Sequence, residues 1–292
     1  MGAALGLGTA QWGLRYGVAN VAGKTPSDEV DAIVRHARRL GIRLLDTAAQ
    51  YGDAESVLGR CDLAGFDVVT KTPSFRSVAI SPRQVAELVC AFQDSLGRLG
   101  RSRVHGLLLH HADDLLAQGG YELVAAMEAL KSSGRVRCIG VSVYDGQQLD
   151  AVLKFFRPDI VQLPLSVLDQ RLLRSGHIDR LKKAGIEIHV RSVFLQGLLL
   201  MSLADVPPYF DPIRSLLMAW HDAASAQGKT VGQAALAFVR DISGVDVVLV
   251  GVENRAQLVS CHLDFNAMGH FDATGLACDD PRFVNPARWA LS

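Results

Sequence analysis

The regular alternation of short β-type runs with amphipathic helical stretches constrains the fold of this 292-residue chain more than any other feature. The predicted strands are Ala4–Gly8, Arg43–Asp46, Asp67–Lys71, Val104–His110, Val136–Ser142, Ile160–Gln162, Ile186–Arg191 and Val245–Val250. The predicted helices between them are Pro26–Leu40, Pro82–Leu99, Tyr121–Ser132, Gln147–Phe155, Ser175–Ala184 and Val231–Arg240. Strands separated by helices in this number and in a chain of this length favour a closed, parallel (β/α)8 TIM barrel over an open doubly wound sheet.

Signals at the helix ends agree with this alternation. Ser81 followed by Pro82 is a typical helix start. Glycines stand where helices should end, at Gly41, Gly100, Gly134 and Gly185. An additional helix is predicted over Ile213–Gln227. Because no linker or repeat interrupts the pattern, we expect one domain over residues 1–292, in which residues 264–292 form a C-terminal tail that caps the barrel.

The composition argues against several classes of partner. Lys plus Arg and Asp plus Glu number 30 each, so net charge gives no reason to expect nucleic acid or an anionic membrane as partner, and we expect a small molecule. The cysteines are odd in number and lack a CxxC pair, and the histidines lack metal spacing, so we expect no disulfide and no metal site. The start resembles no signal peptide, and no apolar stretch reaches the roughly 20 residues of a membrane span, so we expect a cytoplasmic protein.

Three successive strand ends carry residues that can handle protons. The second predicted strand ends at Asp46, and Tyr51 lies on the loop that follows it. The third strand ends at Lys71 and the fourth at His110. In a (β/α)8 barrel the carboxyl ends of all strands line one shared mouth, where the chemistry of such enzymes takes place. We therefore expect these four side chains to converge.

Together, these side chains could catalyse the reduction of a carbonyl group. A tyrosine hydroxyl ordinarily has a pKa of about 10, and the ammonium of Lys71 should lower that of Tyr51, while Asp46 keeps Lys71 charged and in place. His110 could donate a hydrogen bond to a carbonyl oxygen. The set would then protonate an alkoxide as it forms, which is general acid catalysis. The protein has no hydride donor of its own, so a nicotinamide cofactor is implied.

Ordinary structural roles are also open to each of the four. Asp46 could be a turn residue, Tyr51 a loop anchor, Lys71 a solvated charge and His110 a core histidine. A barrel isomerase or aldolase that uses Lys71 as a Schiff-base amine is a further alternative. We disfavour it because Asp46 should keep Lys71 protonated.

Five motifs in fixed order carry a resemblance to a known family. LGTAQWG, DTAAQYGDAE, VVTK, LLLHH and GVS occur in sequence, and the similarity runs from about Leu5 to Leu263. In these motifs and their order the chain resembles the aldo-keto reductase superfamily. The resemblance implies a (β/α)8 barrel that reduces aldehydes and ketones with NAD(P)H and without a metal. Its catalytic tetrad would be Asp46, Tyr51, Lys71 and His110, with Tyr51 as the proton donor.

The resemblance also implies contacts with the cofactor. Ser142 and Gln162 match the residues that hold the nicotinamide carboxamide, and Asp46 lies next to them in the same site. Gly8 and Thr9 match the contact made by the first strand. Ser192 matches the contact with the diphosphate.

Two positions depart from the family pattern. Val143 stands where Asn usually follows the serine of GVS, so one carboxamide contact could be missing. Arg191 stands where an aromatic residue commonly stacks on the nicotinamide. A guanidinium can also lie flat on a ring and pair with phosphate. A structural ion pair at the barrel mouth is the alternative role for Arg191.

The segment from Gly251 to Arg255 corresponds to the adenosine end of the cofactor site in the family. It includes Glu253 and Asn254 and begins a helix, whose N-terminus suits a phosphate. Arg255 could reach a 2′-phosphate, but Gly251 replaces the lysine of many NADPH-selective members. Glu253 would repel that phosphate, unless it is only a solvated loop charge. We therefore lean slightly to NADH or to dual use of both cofactors.

The predicted substrate pocket draws on aromatic residues and histidines near the mouth. Its candidates are Trp12, Tyr51, Phe75, His110, His111, Phe194 and Trp289. The polar tail could clamp a sugar-like substrate or only cap the barrel, and we favour the cap. GLGTAQWGLRYGVAN and RSVFLQG resemble bacterial members linked to surface-polysaccharide sugars.

Two functions from different classes remain open at this point. The first is a reductase of aldehydes or ketones, and the four residues of the tetrad favour it. The second is a regulatory protein that binds NAD(P)H on the same barrel and acts through a protein partner, as some members of the superfamily do. The departures from the family pattern at Val143 and Arg191 are compatible with this second function.

Overall fold

Parallel strands pair in the order in which they occur along the chain and close into an eight-stranded barrel. The computed structural model describes residues 2–290, so Met1, and Leu291 and Ser292 at the end of the predicted tail, lie outside the described residues. The strands are β1 (Ala4–Gly8), β2 (Leu44–Asp46), β3 (Asp67–Lys71), β4 (Val104–Leu109), β5 (Val136–Ser142), β6 (Ile160–Pro164), β7 (Glu187–Arg191) and β8 (Val247–Gly251). Because β1 pairs with both β2 and β8, the sheet has no open edge, which confirms the predicted fold class.

Helices follow the strands and surround the barrel. They are α1 (Ala10–Gly13), α2 (Ser27–Arg39), α3 (Ala54–Leu58), α4 (Pro82–Leu99), α5 (Ala112–Leu116), α6 (Tyr121–Ser132), α7 (Gly146–Val152), α8 (Arg171–Arg174), α9 (His177–Lys183), α10 (Arg214–Ala226), α11 (Val231–Arg240), α12 (Arg255–Asn266) and α13 (Pro281–Val284). The predicted bounds of α4, α6 and α11 are confirmed. The predicted helix over Gln147–Phe155 is too long, since α7 ends at Val152. Pro158 follows closely, and the chain turns before it.

Local signals explain where the helices begin and end. At α4, Ser81 and Gln84 form a reciprocal capping box, and Pro82 occupies the first helical position. The same helix ends at Gly100, which has a φ of 63° that side-chain-bearing residues rarely adopt. The other predicted stops have positive φ as well, at Gly41, Gly134 and Gly185.

An apolar layer fills the inside of the barrel. It consists of the buried side chains of Leu44, Val69, Leu108, Ile160, Val247 and Leu249. Burial of each such side chain contributes about 1.5–3 kcal/mol. Side chains alternate along a strand, so Asp46 and Lys71, two residues beyond Leu44 and Val69, point into the barrel above this layer. The fold therefore concentrates these charged groups at the carboxyl end of the strands.

The tail beyond α12 crosses the connections that follow β6 and β7. The backbone N–H of Cys278 donates to the carbonyl of Leu168 at 2.8 Å. Tyr209 donates its hydroxyl hydrogen to the carbonyl of Arg282 at 2.9 Å. These contacts place the tail at the same end of the barrel as the charged groups. No helix within residues 2–290 is both long enough and apolar enough to cross a bilayer.

Candidate active site

A buried ion pair joins the ends of β2 and β3. Lys71 Nζ lies 2.5 Å from Asp46 Oδ1, and it also donates to the carbonyl of Thr47 at 3.1 Å. The second carboxylate oxygen of Asp46 accepts a bond of 2.8 Å from the side-chain amide of Gln162, at the end of β6. Lys71, Asp46 and Gln162 are almost completely buried. Both oxygens of Asp46 are thus satisfied, and the ammonium is fixed in place.

Tyr51 and His110 lie beside this pair. Lys71 Nζ is 5.0 Å from the centre of the Tyr51 ring. The His110 ring meets the Tyr51 ring edge-on, with 5.7 Å between centroids. The structure therefore brings together the four residues that the sequence places at three separate strand ends.

The loop that carries Tyr51 is held by a very close approach of two backbones. A Cβ on Gly13 would lie 1.8 Å from the carbonyl oxygen of Tyr51. A Cβ on Gly52, whose φ is +56°, would lie 2.2 Å from the carbonyl oxygen of Gly13. Only glycine fits at both points, so the β1 and β2 connections pack directly on each other. An exposed ion pair between Lys24 and Asp53 spans the same two connections at 2.6 Å.

A second buried carboxylate braces the helix that follows Tyr51. Glu55 in α3 accepts bonds from the Thr70 hydroxyl at 2.5 Å and from Arg98 Nε at 2.8 Å. Thr70 belongs to β3, and Arg98 belongs to α4. β3 and α4 therefore hold the start of α3, and this helps to fix the position of Tyr51.

Burial dominates the acid–base properties of Tyr51 and Lys71. Burial and the carboxylate of Asp46 raise the pKa of Tyr51 well above 10, although Arg191 acts in the opposite direction. The expectation of a lowered pKa is therefore wrong, because loss of hydration outweighs the nearby positive charge. Burial also lowers the pKa of Lys71, and Asp46 opposes that shift. Tyr51 is a protonated phenol throughout the neutral range.

His110 is a neutral imidazole at physiological pH. Burial, together with the charges of Lys71 and Arg191, lowers its pKa to about 3. A neutral ring carries one N–H, so it can donate one hydrogen bond without bringing a further charge into the site.

Several buried polar atoms without a hydrogen-bond partner lie at the mouth. The hydroxyls of Thr9, Thr47 and Ser74 and one ring nitrogen each of His110 and His111 are buried and have no hydrogen-bond partner within residues 2–290. They follow the first four strands in turn. Buried polar groups are nearly always hydrogen-bonded in a finished site, so these atoms fit contacts with a bound molecule such as NAD(P)H.

The predicted carboxamide contacts lie side by side at this end. Ser142 and Gln162 are paired in register at the ends of β5 and β6. Gly8 leaves the end of β1 open, since a Cβ there would meet only the carbonyl of Val250 at 3.8 Å. The side-chain amide of Gln162 donates to Asp46, a contact that the sequence did not indicate.

Arg191 lies over an aromatic ring. Its guanidinium is 4.4 Å from the centre of the Tyr144 ring, and it donates to the carbonyl of Val143 at 3.0 Å and to Ser192 Oγ at 3.3 Å. No carboxylate within residues 2–290 lies within salt-bridge distance of Arg191, so these residues do not supply the partner that the ion-pair alternative requires. Tyr144 was not predicted. The only signal was its place directly after GVSV at the end of β5.

The N-terminus of α12 is occupied by side chains of the chain itself. Asn254 caps the helix by accepting from the N–H of Gln257 at 2.9 Å, and Gln257 accepts from the N–H of Glu253 at 2.7 Å. Arg255 is engaged by Glu29 of α2, which accepts from its backbone N–H at 2.8 Å. Arg255 Nε also donates to Glu29, at 3.2 Å, so the predicted contact of Arg255 with a 2′-phosphate stays a prediction. Glu29 was missed because it lies in a distant helix.

The remaining pocket candidates lie in several places. Trp12 is fully buried and donates its indole N–H to the carbonyl of Val252 at 2.9 Å, so it supports the wall instead of lining an open surface. The ring of His111 lies 6.2 Å from that of Tyr144, near Arg191. The backbone N–H of Phe75 is tied to Asp114 at 2.9 Å.

The other two aromatic candidates lie in the β7 connection or pack against it. Phe194 is partly buried in that connection and packs on the main core. Trp289 packs edge-on against Phe210, with 4.9 Å between centroids, and donates its indole N–H to the carbonyl of Phe283. Those contacts attach Trp289 to the β7 connection and to the tail, and they do not join it to Tyr51.

The comparison with known families agrees with this geometry. The model of the Aldo/keto reductase family matches residues 4–262. The chain belongs to the aldo/keto reductase family. Members of this family are NAD(P)H-dependent oxidoreductases that act on small carbonyl compounds or the corresponding alcohols.

Named relatives within the aldo/keto reductase family are moderately similar. The chain is 30% identical over 217 residues to the NADH-specific methylglyoxal reductase of Escherichia coli (strain K12), covering 67% of this chain and 64% of that protein, which is less than two thirds of its length. It is 28% identical over 258 residues to the L-galactose dehydrogenase of Arabidopsis thaliana, covering 82% and 79%. A solved aldo-keto reductase from Bacillus halodurans in its holo form matches with a TM-score of 0.72 at 21% identity, over 93% of this chain and 89% of that chain, which supports the fold.

Proposed function

We propose that this protein reduces an aldehyde or a ketone to an alcohol with NAD(P)H, and that Tyr51 is the proton donor. One observation carries the proposal. The buried Lys71–Asp46 pair, with a distance of 2.5 Å, lies directly beside Tyr51 and His110 at the carboxyl ends of the strands. Such a set supplies a proton, a hydrogen-bond donor and a fixed positive charge at one point.

The residues have distinct tasks in this reaction. Bound NAD(P)H would supply a hydride to the carbonyl carbon. Tyr51 and His110 can hold the carbonyl oxygen by hydrogen bonds. As negative charge develops there, the O–H bond of Tyr51 breaks and the O–H bond of the alcohol forms. The ammonium of Lys71 stabilises the phenolate that remains, and Asp46 keeps this ammonium in place.

The protonation states fit a reaction that begins with the proton on Tyr51. Because burial raises the pKa of Tyr51, the phenol holds its proton at neutral pH and can donate it only to a strongly basic oxygen, such as the alkoxide that forms during reduction. The neutral ring of His110 completes a site that begins the reaction with the proton on Tyr51.

The cofactor would lie across the ends of several strands. Its carboxamide would be held by Ser142 and Gln162, with Thr9 nearby, and its diphosphate by Ser192 and Arg191. The orphaned hydroxyl of Thr9 and the absence of a carboxylate partner for Arg191 within the described residues support this placement. The adenosine end would lie over Gly251, Glu253, Asn254 and Arg255.

The substrate would be a small carbonyl compound, with a sugar-like aldehyde or ketone as the leading candidate. The printed names of the relatives point in this direction, since one acts on methylglyoxal and another on L-galactose. His111 and Phe75, on the connections after β4 and β3, are the proposed substrate contacts beside Tyr51 and His110.

The test is steady-state oxidation of NADH and NADPH by the purified protein with a panel of aldehydes, ketones and sugars. We expect turnover with part of the panel, and a loss of about 10²–10⁴ in kcat for Tyr51→Phe. Tyr121→Phe is the matched control, because Tyr121 is 64% exposed on α6. Tight cofactor binding without any turnover, unchanged by Tyr51→Phe, would favour the regulatory alternative. Substrate trapped on Lys71 by borohydride would favour the Schiff-base alternative, which the Asp46 contact opposes.

A further inference from the structure

A cavity of about 400 Å³ lies at the amino-terminal end of the barrel, at the opposite end from the tetrad. It is lined by residues at the start of β3, β4 and β5 and by those just before these strands. The tetrad lies at the other end of the strands, and a strand rises about 3.3 Å per residue, so roughly 15–20 Å separate this cavity from the mouth. The proposed reduction makes no use of it.

Positive side chains dominate the lining of this cavity. Its charged groups are the guanidiniums of Arg101, Arg103 and Arg137 and the carboxylate of Asp67. Within residues 2–290, no carboxylate lies within salt-bridge distance of the three guanidiniums, and Asp67 approaches His105 instead, at 3.6 Å. Arg101 donates to the carbonyl of Leu63 at 2.9 Å, which fixes its guanidinium at the wall. The three guanidiniums against one carboxylate leave two positive charges uncompensated in the lining.

His105 adds an unsatisfied polar group to the same lining. Its side chain is only 11% exposed, and both ring nitrogens are buried without a hydrogen-bond partner within residues 2–290. The distance to Asp67 is too long for a hydrogen bond. Buried polar atoms are nearly always hydrogen-bonded, so this ring favours a ligand that can accept a hydrogen bond from it.

The ends of two helices explain only part of this basic character. α4 ends at Leu99 and α6 at Ser132, and the carbonyls at a helix C-terminus attract cations without any ligand. That attraction falls off within the last turn of a helix. It accounts for Arg101, which follows α4 closely. It does not account for Arg103, directly before β4, or for Arg137, inside β5.

We propose that this cavity binds a compact dianion, and that the ligand is a phosphate group, either free or carried by a small phosphate ester. A dianion matches the two uncompensated positive charges. Guanidiniums recognise phosphate oxygens through paired N–H donors, and the His105 ring can donate one further hydrogen bond. A space of about 400 Å³ has the size of a small-molecule pocket, so it holds a phosphate together with a small organic group. Such a ligand would join the starts of three strands and stabilise the folded state.

The test is calorimetric titration of the purified protein with inorganic phosphate and with glycerol 3-phosphate, at constant ionic strength and with chloride as the control anion. We expect saturable binding of at least one of the two phosphate compounds. Tighter binding of the ester identifies an ester as the ligand, and tighter binding of inorganic phosphate identifies the free ion. Arg103→Gln and Arg137→Gln should each weaken this binding by about tenfold or more, since each loses a charged donor.

NMR of the histidine rings locates the ligand. The His105 signals are identified by their loss in His105→Phe, and in the wild type they should shift during the titration with the Kd that calorimetry gives. His105→Phe keeps a ring but has no ring nitrogen, so it should weaken binding by about threefold or more.

Two control variants separate this site from other positive charges. Arg135 is exposed next to β5 but does not line the cavity, so Arg135→Gln should keep the affinity for phosphate within about twofold. Arg191 lies at the mouth, so Arg191→Met should keep it within about twofold as well. Thermal unfolding of each variant establishes that it is folded.

Several results would overturn the inference. They are the lack of saturable phosphate binding, equal binding of chloride, an equal loss of affinity in Arg135→Gln, and binding that Arg191→Met abolishes while Arg103→Gln and Arg137→Gln retain it. None of these results bears on carbonyl reduction, because the proposed proton donor and cofactor contacts lie at the other end of the barrel.

Discussion

The carbonyl oxygen of Gly13 occupies the position that a side chain on Gly52 would need, so the connections after β1 and β2 are locked together next to Tyr51. The contact is between backbones and cannot be relieved by a change of rotamer. Because Tyr51 immediately precedes Gly52, any displacement of this contact must move the proposed proton donor. The position of the Tyr51 phenol thus depends on a glycine, which has no side chain to take part in chemistry.

Gly52→Ala is expected to reduce both stability and catalysis. The new Cβ would lie 2.2 Å from the carbonyl oxygen of Gly13, at a φ of +56°. We expect a loss of about 2–3 kcal/mol in the free energy of unfolding and at least about a tenfold fall in kcat. Urea unfolding and steady-state kinetics measure the two effects.

Gly65→Ala is the matched control for this substitution. Gly65 also has a positive φ, of +80°, but nothing lies within 4 Å of its added Cβ. It should cost only about 1 kcal/mol and leave kcat unchanged. Equal effects of the two substitutions would mean that backbone conformation alone matters, and that the contact between the two connections does not position Tyr51.

Substitutions of Asp46 and Lys71 should have coupled effects on the free energy of unfolding, whereas the double substitution should not restore activity. Asp46→Asn or Lys71→Met alone leaves one buried charge without its partner and is expected to cost about 3–5 kcal/mol. The double variant removes both charges and should recover a large part of that loss. Its kcat should remain as low as that of Lys71→Met, about 10²-fold or more below the wild type, because no ammonium stabilises the phenolate. A double variant no more stable than the singles would contradict this coupling, and urea unfolding decides it.

Much of the fold and the convergence of the four residues of the tetrad could be predicted from the sequence. Parallel strands of a barrel bring their carboxyl ends together, so Asp46, Lys71 and His110 had to meet once the strand order was assigned correctly. The direction in which the pKa of Tyr51 shifts could not be predicted from the sequence, because it depends on how deeply the phenol is buried. Sequence spacing reports which charges are near, but it carries no measure of lost hydration.

Contacts between elements that are distant in the sequence could not be predicted either. Glu29 and Arg255 are 226 positions apart, and nothing local in α2 indicates that its first turn reaches the start of α12. The stacking of Arg191 on Tyr144 depends in the same way on how the ends of β5 and β7 face each other. Such pairs follow from the closed geometry of the barrel and not from local propensity.

Acid should destabilise the folded protein through His110. The pKa of His110 is about 3 in the folded state, against an ordinary value of 6.5, so only the unfolded chain binds a proton between these values. The stabilising contribution is therefore complete above pH 6.5 and falls by about 1.4 kcal/mol per pH unit below it. Between pH 7.5 and 5.5 the wild type should lose about 1.4 kcal/mol more than His110→Asn, as measured by urea unfolding. Parallel losses in the two proteins would show that His110 is readily protonated in the fold.

Arg191 should be tested through cofactor binding, because its guanidinium has no carboxylate partner within the described residues and is held on Tyr144 and Val143. A partly buried cation in this position fits the diphosphate of the cofactor better than a structural role. Arg191→Met should weaken NADH binding by about tenfold or more, measured by fluorescence titration. Arg191→Lys keeps the charge but lacks the guanidinium donors, so its affinity for NADH should fall between those of Arg191→Met and the wild type. Tyr144→Phe keeps the ring and should bind NADH as the wild type does. If Arg191→Met binds NADH within twofold of the wild type, then Arg191 serves only to join the ends of β5 and β7.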